Sequence, residues 1–408
     1  MKSSGLIHSP FNLAVIAAGL GFFVDAFDLF LFTIYRIPSL TELGLTGNDL
    51  KLEGEKLLGI QMLGMMIGGI LTGMIGDRKG RVAVLFGSIL LYSSANIANA
   101  FVQDVQAYAL IRFLAGVGLA GELGAGITLV SETMSVERRG YGTILVATMG
   151  ALGAVCAGLA GDILPWRTAF FVAGIAGLLL LLLRMKSLES SMFQKAIQVP
   201  SHVKGSFRYL FSKPERTLKY SACILMGIPI WYSVGILMTL SPELAKDFNV
   251  DGWVLTKAFT LFQLGITSGD LSSGVLSQVF KTRKKIILSY MILAILASAL
   301  YFYFFSVGIG SYTLCFLMGL GCGYLSVFVT ATAEHFGTNL RVLVTATVTN
   351  FMRGSVTLLI PFHLWLENSF EMSLSQSLIL TGVMVWSLAL VSVLLLAETY
   401  GKDLDYLE

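Results

Sequence analysis

Two aspartates lie inside an apolar segment, GFFVDAFDLFLF, that covers residues 21–32. An aspartate at the centre of a membrane-spanning helix costs roughly 2.5–3.5 kcal/mol on insertion scales, so a charge kept at such a position indicates a function. Asp25 and Asp28 are three residues apart and share one face of a helix. A buried carboxyl group can hold a proton and release it when water or a cation approaches. We therefore predict that both aspartates carry protons. The alternative for Asp25 is a neutral side chain that hydrogen-bonds to a neighbouring helix.

Other ionisable residues lie inside apolar segments. Arg112 sits about 10 Å along its predicted helix and Asp28 about 13 Å from the end of its own, at the helical rise, which predicts an ion pair between them. The alternative is a structural pair that only neutralises two buried charges. Glu122 is predicted as a second proton site, with a structural hydrogen bond as its alternative. His363 lies near the end of another apolar segment.

Arg353 is predicted to bind an anion, because a guanidinium group grips carboxylate or phosphate through its planar fork. Its own segment offers no acid, so Arg353 pairs either with an acid from another segment or with a substrate. Asn350, one turn away, could support either role. Asp270 is a further candidate, although it could simply hydrogen-bond serines across a packed helix pair. Other candidate cavity residues, with membrane-interface positions as the alternative for the tyrosines, are Gln61, Gln263, Tyr35 and Tyr232.

The composition indicates a chain dissolved in lipid. Of 408 residues, 55% are hydrophobic and only 13% are charged, against about 25% in soluble domains. The mean hydropathy is +0.77, and the 43 glycines suit close helix packing in a membrane. The four cysteines lack metal-ligand spacing and are expected to be small buried hydrophobes. No nucleophile–base pair, metal cluster or phosphate-binding loop is apparent, which argues against an enzyme.

A window of about 20 apolar residues predicts twelve membrane spans. In the first half they cover 11–37, 55–77, 82–101, 105–133, 139–162 and 166–186. In the second half they cover 217–240, 255–280, 285–306, 310–335, 341–366 and 374–397. The predicted organisation is an N-terminal six-helix bundle (1–186), a cytoplasmic linker (187–216) and a C-terminal six-helix bundle with a short tail (217–408).

Lysine and arginine predict the orientation. The face with the N-terminus, the even-to-odd connections and residue 402 holds 20 of the 28 basic residues. The positive-inside rule therefore predicts that both termini are cytoplasmic.

An internal repeat supports two related halves. Residues 121–148 can be aligned with 323–350 without a gap, at an offset of 202 residues, about half the chain. The alignment sets Glu132 on Glu334 and Arg139 on Arg341. Parallel six-helix repeats are typical of transporters whose substrate site lies at mid-membrane between the halves.

Four motifs occur in order along the chain: GDRKGR (76–81), RFLAGVGLAGELG (112–124), SETMSVERRG (131–140) and AETYGKDLDYLE (397–408). Together they resemble the major facilitator superfamily, in particular the group of sugar porters, phosphate:proton and metabolite:proton symporters and organic-ion transporters. This resemblance implies the two-bundle fold and a proton-coupling role for the span 1 acids and Arg112. The motif residues are predicted to act in conformational gating: Gly76, Asp77, Arg78, Arg81, Glu132, Arg139, Glu334 and Arg341.

The expected function is secondary active transport by alternating access. We predict uptake of a small polar metabolite, anionic or zwitterionic, with a carboxylate or phosphate, driven by the proton-motive force without a cofactor or metal. Proton-driven efflux of drugs or metabolites is the second interpretation, and a non-transporting transceptor the third. A sodium ion could replace the proton. The protein is expected to act as a monomer in a bacterial inner membrane, without binding nucleic acid.

Overall fold

A computed structural model describes residues 13–79, 81–121, 139–188 and 207–401, and all regular elements in these ranges are helical. Up to the first long connection the helices are α1 (Leu13–Glu42), α2 (Gly47–Lys79), α3 (Arg81–Asn99), α4 (Val105–Leu119), α5 (Arg139–Ile163) and α6 (Trp166–Leu188). Each corresponds to one predicted span, and α4 covers the first part of span 4.

The described part from residue 207 onward holds helices for six further spans. They are α7 (Phe207–Leu210), α8 (Pro214–Trp231), a π-helix (Tyr232–Met238), α9 (Ser241–Asp247), α10 (Leu255–Val279), α11 (Lys284–Ser306), α12 (Tyr312–Cys322), α13 (Leu325–Glu334), α14 (Thr338–Gly354), α15 (Val356–Phe370) and α16 (Leu374–Leu395). The α8 helix and the π-helix form span 7, α12 and α13 form span 10, and α14 and α15 form span 11.

The protein is an integral, multi-pass membrane protein. Eight helical segments in the described ranges are long and apolar enough to cross a membrane: Ala18–Glu42, Leu145–Ile163, Trp166–Leu183, Pro214–Met238, Lys284–Ser306, Tyr312–Glu334, Leu343–Phe370 and Leu374–Leu395. Two shorter apolar helices are Val84–Asn99 and Val105–Leu119. Large apolar side chains such as Leu183 and Leu394 are about 60% exposed, as expected for a surface that faces lipid.

The first two helices are longer than predicted. The α1 helix continues through Pro38 to Glu42 instead of ending at 37, and α2 begins at Gly47 instead of 55. The hydropathy window reports only the apolar part of a helix, whereas these polar turns extend past the apolar part. Asp28 therefore lies about 21 Å from the end of α1 at the helical rise, deeper than predicted. We call the face where α1 and α2 are joined the predicted outer face.

Spans 10 and 11 are interrupted, although the sequence predicted continuous helices. In span 10 the break falls at Gly323, where the backbone packs directly on Gly269 of α10. A Cβ at Gly323 would overlap that neighbouring backbone. In span 11, α14 and α15 meet at Ser355.

Two seams join the N-terminal and C-terminal helices. The α5 helix packs against α10, where Gly158 and Gly161 admit the side chains of Thr260 and Thr256. The α2 helix packs against α14 and α15. Small residues at such crossings let helix backbones approach closely. The space between the two seams is where the buried charges of α1 and span 11 meet.

Candidate functional site

Asp28 and Arg112 form the first buried charge pair. Both side chains are fully buried, and an Arg112 guanidinium nitrogen lies 4.0 Å from an Asp28 oxygen, the pair that the sequence predicts. The guanidinium also donates a hydrogen bond to Asn96 at 2.8 Å and contacts the Asn99 amide. These two asparagines of α3 hold one side of the guanidinium, whereas its Nη1 group has no hydrogen-bond partner among the described residues.

Asp25 of α1 and Arg353 of α14 are two further buried side chains of opposite charge. Asp25 is fully buried and Arg353 is only 3% exposed. The two side chains interact electrostatically, although α1 and α14 belong to different halves of the chain. The sequence left open whether Arg353 meets an acid from another span or a substrate. Asp25 is an acid of another span that acts on it electrostatically, and the substrate contact stays a prediction.

Arg353 also has an aromatic wall. Its guanidinium carbon lies 5.5 Å from the centre of the Trp231 ring. The Trp231 ring stacks on Phe30 at 5.9 Å with an interplanar angle of 10°, and Phe30 contacts Phe259 at 5.3 Å. Within the described residues, Nε and Nη1 of Arg353 have no hydrogen-bond partner. A buried cation with unused donors beside flat aromatic rings can bind an anion that carries an unsaturated group.

Two buried amides have unused polar atoms. Gln61 of α2 is fully buried and Gln263 of α10 is 2% exposed. Among the described residues, neither polar atom of the Gln61 side chain has a hydrogen-bond partner, nor has the amide nitrogen of Gln263. Buried polar groups are usually satisfied, and unsatisfied ones often face an ordered water or ligand. Both residues remain candidates for the site.

Four other candidates have structural contacts. Asp270 accepts a hydrogen bond from the Ser326 backbone at 2.7 Å, at the start of α13. The Tyr35 hydroxyl lies 2.7 Å from the carbonyl oxygen of Ala160, and the Tyr232 hydroxyl donates to that of Leu378 at 2.6 Å. The Asn350 amide donates to the carbonyl oxygen of Ala120 at 3.1 Å and so joins α14 to span 4. Their predicted substrate contacts remain predictions.

The predicted outer face is held closed by polar contacts between the halves. Arg36 at the end of α1 donates to the carbonyl oxygen of Thr239 at 3.1 Å and forms an ion pair with Glu243. Lys51 of α2 lies 2.7 Å from Glu367 of α15. Asp162, in the last turn of α5, accepts a hydrogen bond from Thr256 at 2.7 Å.

A second polar cluster lies at the opposite face. Glu334 forms an ion pair with Arg283 at 3.2 Å and accepts a hydrogen bond from Thr399 at 2.7 Å. Glu398 accepts hydrogen bonds from Thr282 and from the backbone N–H groups of Arg283, Lys284 and Tyr400. Partial burial acts to raise the pKa of Glu398, but these hydrogen bonds outweigh it and lower the pKa to about 2.

For the remaining gating and coupling candidates, the structure describes no side-chain contacts. Glu122 and Glu132 lie outside the described residues. Gly76, Asp77, Arg78, Arg81, Arg139 and Arg341 lie on helices whose backbone is described, but the described side chains do not include theirs. Their roles remain predictions.

Sequence reasoning missed several residues of these sites. Asn96 and Asn99 are one turn apart in α3, and two amides on one face of an apolar helix could have been noticed as partners for Arg112. Glu55, which lies 3.0 Å from His363, is a third missed residue. It is near the polar start of α2, where the hydropathy window ends the predicted span, so it did not stand out as a buried charge. The π-helix has no recognisable sequence pattern.

Comparisons with known proteins agree with this architecture. A sequence model of the Major Facilitator Superfamily matches residues 18–361. The niacin transporter NiaP of Acinetobacter baylyi is 25% identical over 433 aligned residues, covering 95% of this chain and 94% of that protein. The sialic acid transporter NanX of Escherichia coli is 24% identical, over 72% of each chain.

Other relatives match over a shorter part. The 3-(3-hydroxy-phenyl)propionate transporter of Escherichia coli is 30% identical over 246 residues, 58% of this chain and 59% of that protein. The chain spans about half the length of several curated relatives at this identity, between 44% and 61% of it. They are a putative niacin/nicotinamide transporter of Bacillus subtilis, a probable 4-methylmuconolactone transporter of Cupriavidus pinatubonensis and a putative metabolite transport protein of Haemophilus influenzae.

Proposed function

The chain belongs to the major facilitator superfamily, and we propose that it is a proton-coupled symporter that takes up a small organic anion with a carboxylate group. The observation that carries this proposal is the position of Arg353. A buried guanidinium from one half of the chain lies beside an aromatic stack and interacts with Asp25 of the other half. Transporters of two related bundles bind their substrates between the halves.

Arg353 is assigned to the anionic group of the substrate. Its unused Nε–H and Nη1–H groups are free donors, and each of them can bind an oxygen of an anionic group. The rings of Trp231 and Phe30 offer a flat surface beside it. This combination favours a substrate that is planar next to its anionic group.

Asp25 is assigned to proton coupling through the same guanidinium. An ionised Asp25 and a substrate carboxylate compete for Arg353, because each supplies the single negative charge that balances it. A proton on Asp25 removes that competition and leaves Arg353 to the substrate. One proton would thus be taken up with one monovalent anion, and the transfer would be electroneutral. Asp28, held near Arg112, would keep Arg112 neutralised. If Asp28 also carried a proton, two protons would move with one anion and the transfer would be electrogenic.

The relatives favour this substrate class. Niacin and 3-(3-hydroxyphenyl)propionate, named for two of them, are aromatic carboxylic acids, and sialic acid also carries a carboxylate. We infer that the protein works as a monomer in a bacterial inner membrane with both termini in the cytoplasm. Its energy source would be the proton-motive force, with no cofactor.

The test is a panel of substrates on the purified full-length protein. Thermal unfolding is measured with niacin, benzoate, 3-hydroxyphenylpropionate, sialic acid and inorganic phosphate at pH 5.5 and pH 7.5. We expect at least one carboxylate, and not phosphate, to raise the melting temperature, with a larger effect at the lower pH. Arg353→Ala is expected to remove the effect, and Arg353→Lys, which keeps the charge without the fork, to weaken it.

Uptake into proteoliposomes then tests direction and coupling. A carboxylate identified by stabilisation should accumulate when the outside is acidic. Stabilisation by no carboxylate, or equal stabilisation of wild type and Arg353→Ala, would contradict the assigned site. Accumulation driven by sodium without a pH gradient would replace the proton as the coupling ion.

A further inference from the structure

A histidine lies between two glutamates where the halves meet at the predicted outer face. His363 of α15 is fully buried, and its Nε2 atom is 3.0 Å from a carboxylate oxygen of Glu55 of α2. Its Nδ1 atom is 3.3 Å from Glu367, one turn further along α15. Lys51 of α2 lies 2.7 Å from Glu367 and 4.0 Å from Glu55. We call Lys51, Glu55, His363 and Glu367 the outer tetrad.

The outer tetrad crosses from one half of the protein to the other. Lys51 and Glu55 belong to α2, whereas His363 and Glu367 belong to α15. Glu55 is 2% exposed on its side chain and His363 is not exposed at all, so these groups are removed from water in the closed arrangement. When the halves separate at this face, water can reach all four side chains.

The charge balance of the outer tetrad depends on one proton. Two ionised glutamates and one lysine sum to a net charge of −1, and a protonated imidazole brings the sum to zero. A buried cluster with an unbalanced charge is strongly disfavoured, whereas a neutral, mutually bonded cluster is tolerated. Both ring nitrogens of a protonated histidine can donate. Here Nδ1 is in hydrogen-bond contact with Glu367, and Nε2 lies 3.0 Å from a Glu55 oxygen, although neither Nε2 nor the Glu55 oxygens make a hydrogen bond to a described residue.

Among the described residues, the elements around the outer tetrad supply no other charge that could take the place of this proton. The neighbouring α16 contributes only the Ser377 hydroxyl, which donates to Glu367 at 3.1 Å. The π-helix holds no charged side chain. Arg36 is engaged with Glu243, and Asp247 accepts a hydrogen bond from the Ser375 backbone. Arg353 lies ten residues before His363 in span 11, about 15 Å away at the helical rise.

We infer that His363 is a proton-binding residue of the outer gate, and that closure of the predicted outer face takes up one proton at the outer tetrad. This inference rests on the proposed alternating-access cycle but concerns a site separate from Asp25 and Arg353. Histidine is the side chain whose charge changes between about pH 5 and 8. An acidic exterior would therefore protonate His363 as well as Asp25, and the predicted outer face would close after His363 is protonated.

The test measures opening of the predicted outer face without substrate. The full-length protein in nanodiscs carries Asn48→Cys and Asp251→Cys, at exposed positions in the two halves, with its four cysteines replaced by alanine. Spin labels at these positions report the distance between the halves from pH 8 to pH 5. For wild type we expect the closed-to-open ratio to rise as the pH falls, by up to about tenfold per pH unit for one coupled proton.

Two variants are expected to remove this pH response in opposite directions. His363→Gln leaves the net charge at −1 and should favour the open arrangement at every pH. Glu55→Gln leaves Lys51 and Glu367 balanced with a neutral imidazole and should favour the closed arrangement at every pH. Glu53→Gln, on the exposed side of the same helix where Glu53 pairs with Lys56, is the matched control and should respond like wild type.

A general loss of folding cannot produce opposite shifts, so the pair of variants tests charge rather than packing. The inference is overturned if wild type shows no pH response, if His363→Gln keeps it, or if both variants shift the same way. Proton-driven uptake that persists alongside such a result would leave the proposed function intact. Loss of the pH response in His363→Gln, in a protein that transports no carboxylate, would overturn the proposed function alone.

Discussion

Arg36 of α1 donates a hydrogen bond to the carbonyl oxygen of Thr239 at 3.1 Å, directly after the π-helix of span 7. Arg36 is fully buried and also forms an ion pair with Glu243 of α9. These contacts join the two halves only when the predicted outer face is closed. The closed arrangement is therefore stabilised by two contacts of a single side chain, Arg36.

Replacing Arg36 by methionine is expected to favour the outward-open arrangement. Hydrogen bonds to charged groups contribute about 1.5–3 kcal/mol, so the open-to-closed ratio should rise by about tenfold or more. The spin-label pair described above measures that ratio. Lys56→Met removes an exposed ion pair with Glu53 on α2 and serves as the control. An unchanged distance distribution in Arg36→Met would show that other contacts hold this face closed.

Asp25→Asn is expected to abolish proton-driven uptake while leaving substrate exchange largely intact. An asparagine cannot bind or release a proton, yet it keeps the size of the side chain and no longer competes for Arg353. Uptake with an imposed pH gradient and counterflow without one distinguish the two activities in proteoliposomes. Asp104→Asn, at the exposed N-cap of α4 where an asparagine can also cap, is the matched control. Full uptake by Asp25→Asn would remove Asp25 from the coupling mechanism.

Trp231→Leu is expected to weaken binding of a planar carboxylate by about five- to thirtyfold. The indole ring provides both the cation–π contact to Arg353, of about 0.5–2 kcal/mol, and the stacking surface shared with Phe30. Titration calorimetry with the stabilising carboxylate gives the dissociation constant. An aliphatic carboxylate should lose less affinity than an aromatic one. Equal losses for both would indicate that the ring supports Arg353 without contacting the substrate.

Variants of Asp270 separate a structural from a substrate-binding role. Its carboxylate caps the start of α13 through the Ser326 backbone. Asp270→Asn keeps an acceptor oxygen and should change little, whereas Asp270→Ala should lower the free energy of unfolding by about 0.5–2 kcal/mol, as expected for loss of a cap. Thermal unfolding and substrate titration are measured together. A weaker substrate affinity in Asp270→Asn, at unchanged stability, would support the substrate contact that the sequence predicted.

The pH dependence of stability should include a contribution from Glu398. Its pKa is lowered from 4.5 to about 2 in the folded protein. A group with a lowered folded-state pKa stabilises the fold fully above its unfolded pKa and loses that effect as the pH falls toward the folded value. Wild type should therefore lose melting temperature between about pH 5 and 3 more steeply than Glu398→Gln. Parallel curves for the two proteins would contradict this assignment.

Hydropathy and charge predicted the spans because each span needs only its own sequence to be recognised. The positions of Asp25, Asp28, Arg112 and Arg353 followed from the same one-dimensional pattern, since charges are conspicuous in apolar segments. The ends of α1 and α2 did not follow, because the polar turns beyond the apolar core carry no hydropathy signal.

Partners across the two halves could not be predicted from the sequence. His363 meets Glu55 more than 300 positions away in the chain, and that contact depends on how α2 and α15 are rotated and packed. Similarly, the link between Asp25 and Arg353 needs both halves in place. Asp270 shows the converse: a charge in a span attracts a functional interpretation, yet here it caps a helix that begins at an unpredicted break.

The π-helix of span 7 determines how the residues that follow it are oriented around the helix axis. Seven residues, Tyr232–Met238, follow the wider coil, and Thr239 comes next. Because one residue of an α-helix turns by about 100°, tightening this segment by a single residue would swing the Thr239 carbonyl away from Arg36 by roughly that angle. The hydrogen bond between Arg36 and Thr239 therefore depends on the coiling of the π-helix. A change of coiling in this one segment could break the bond without any helix having to slide.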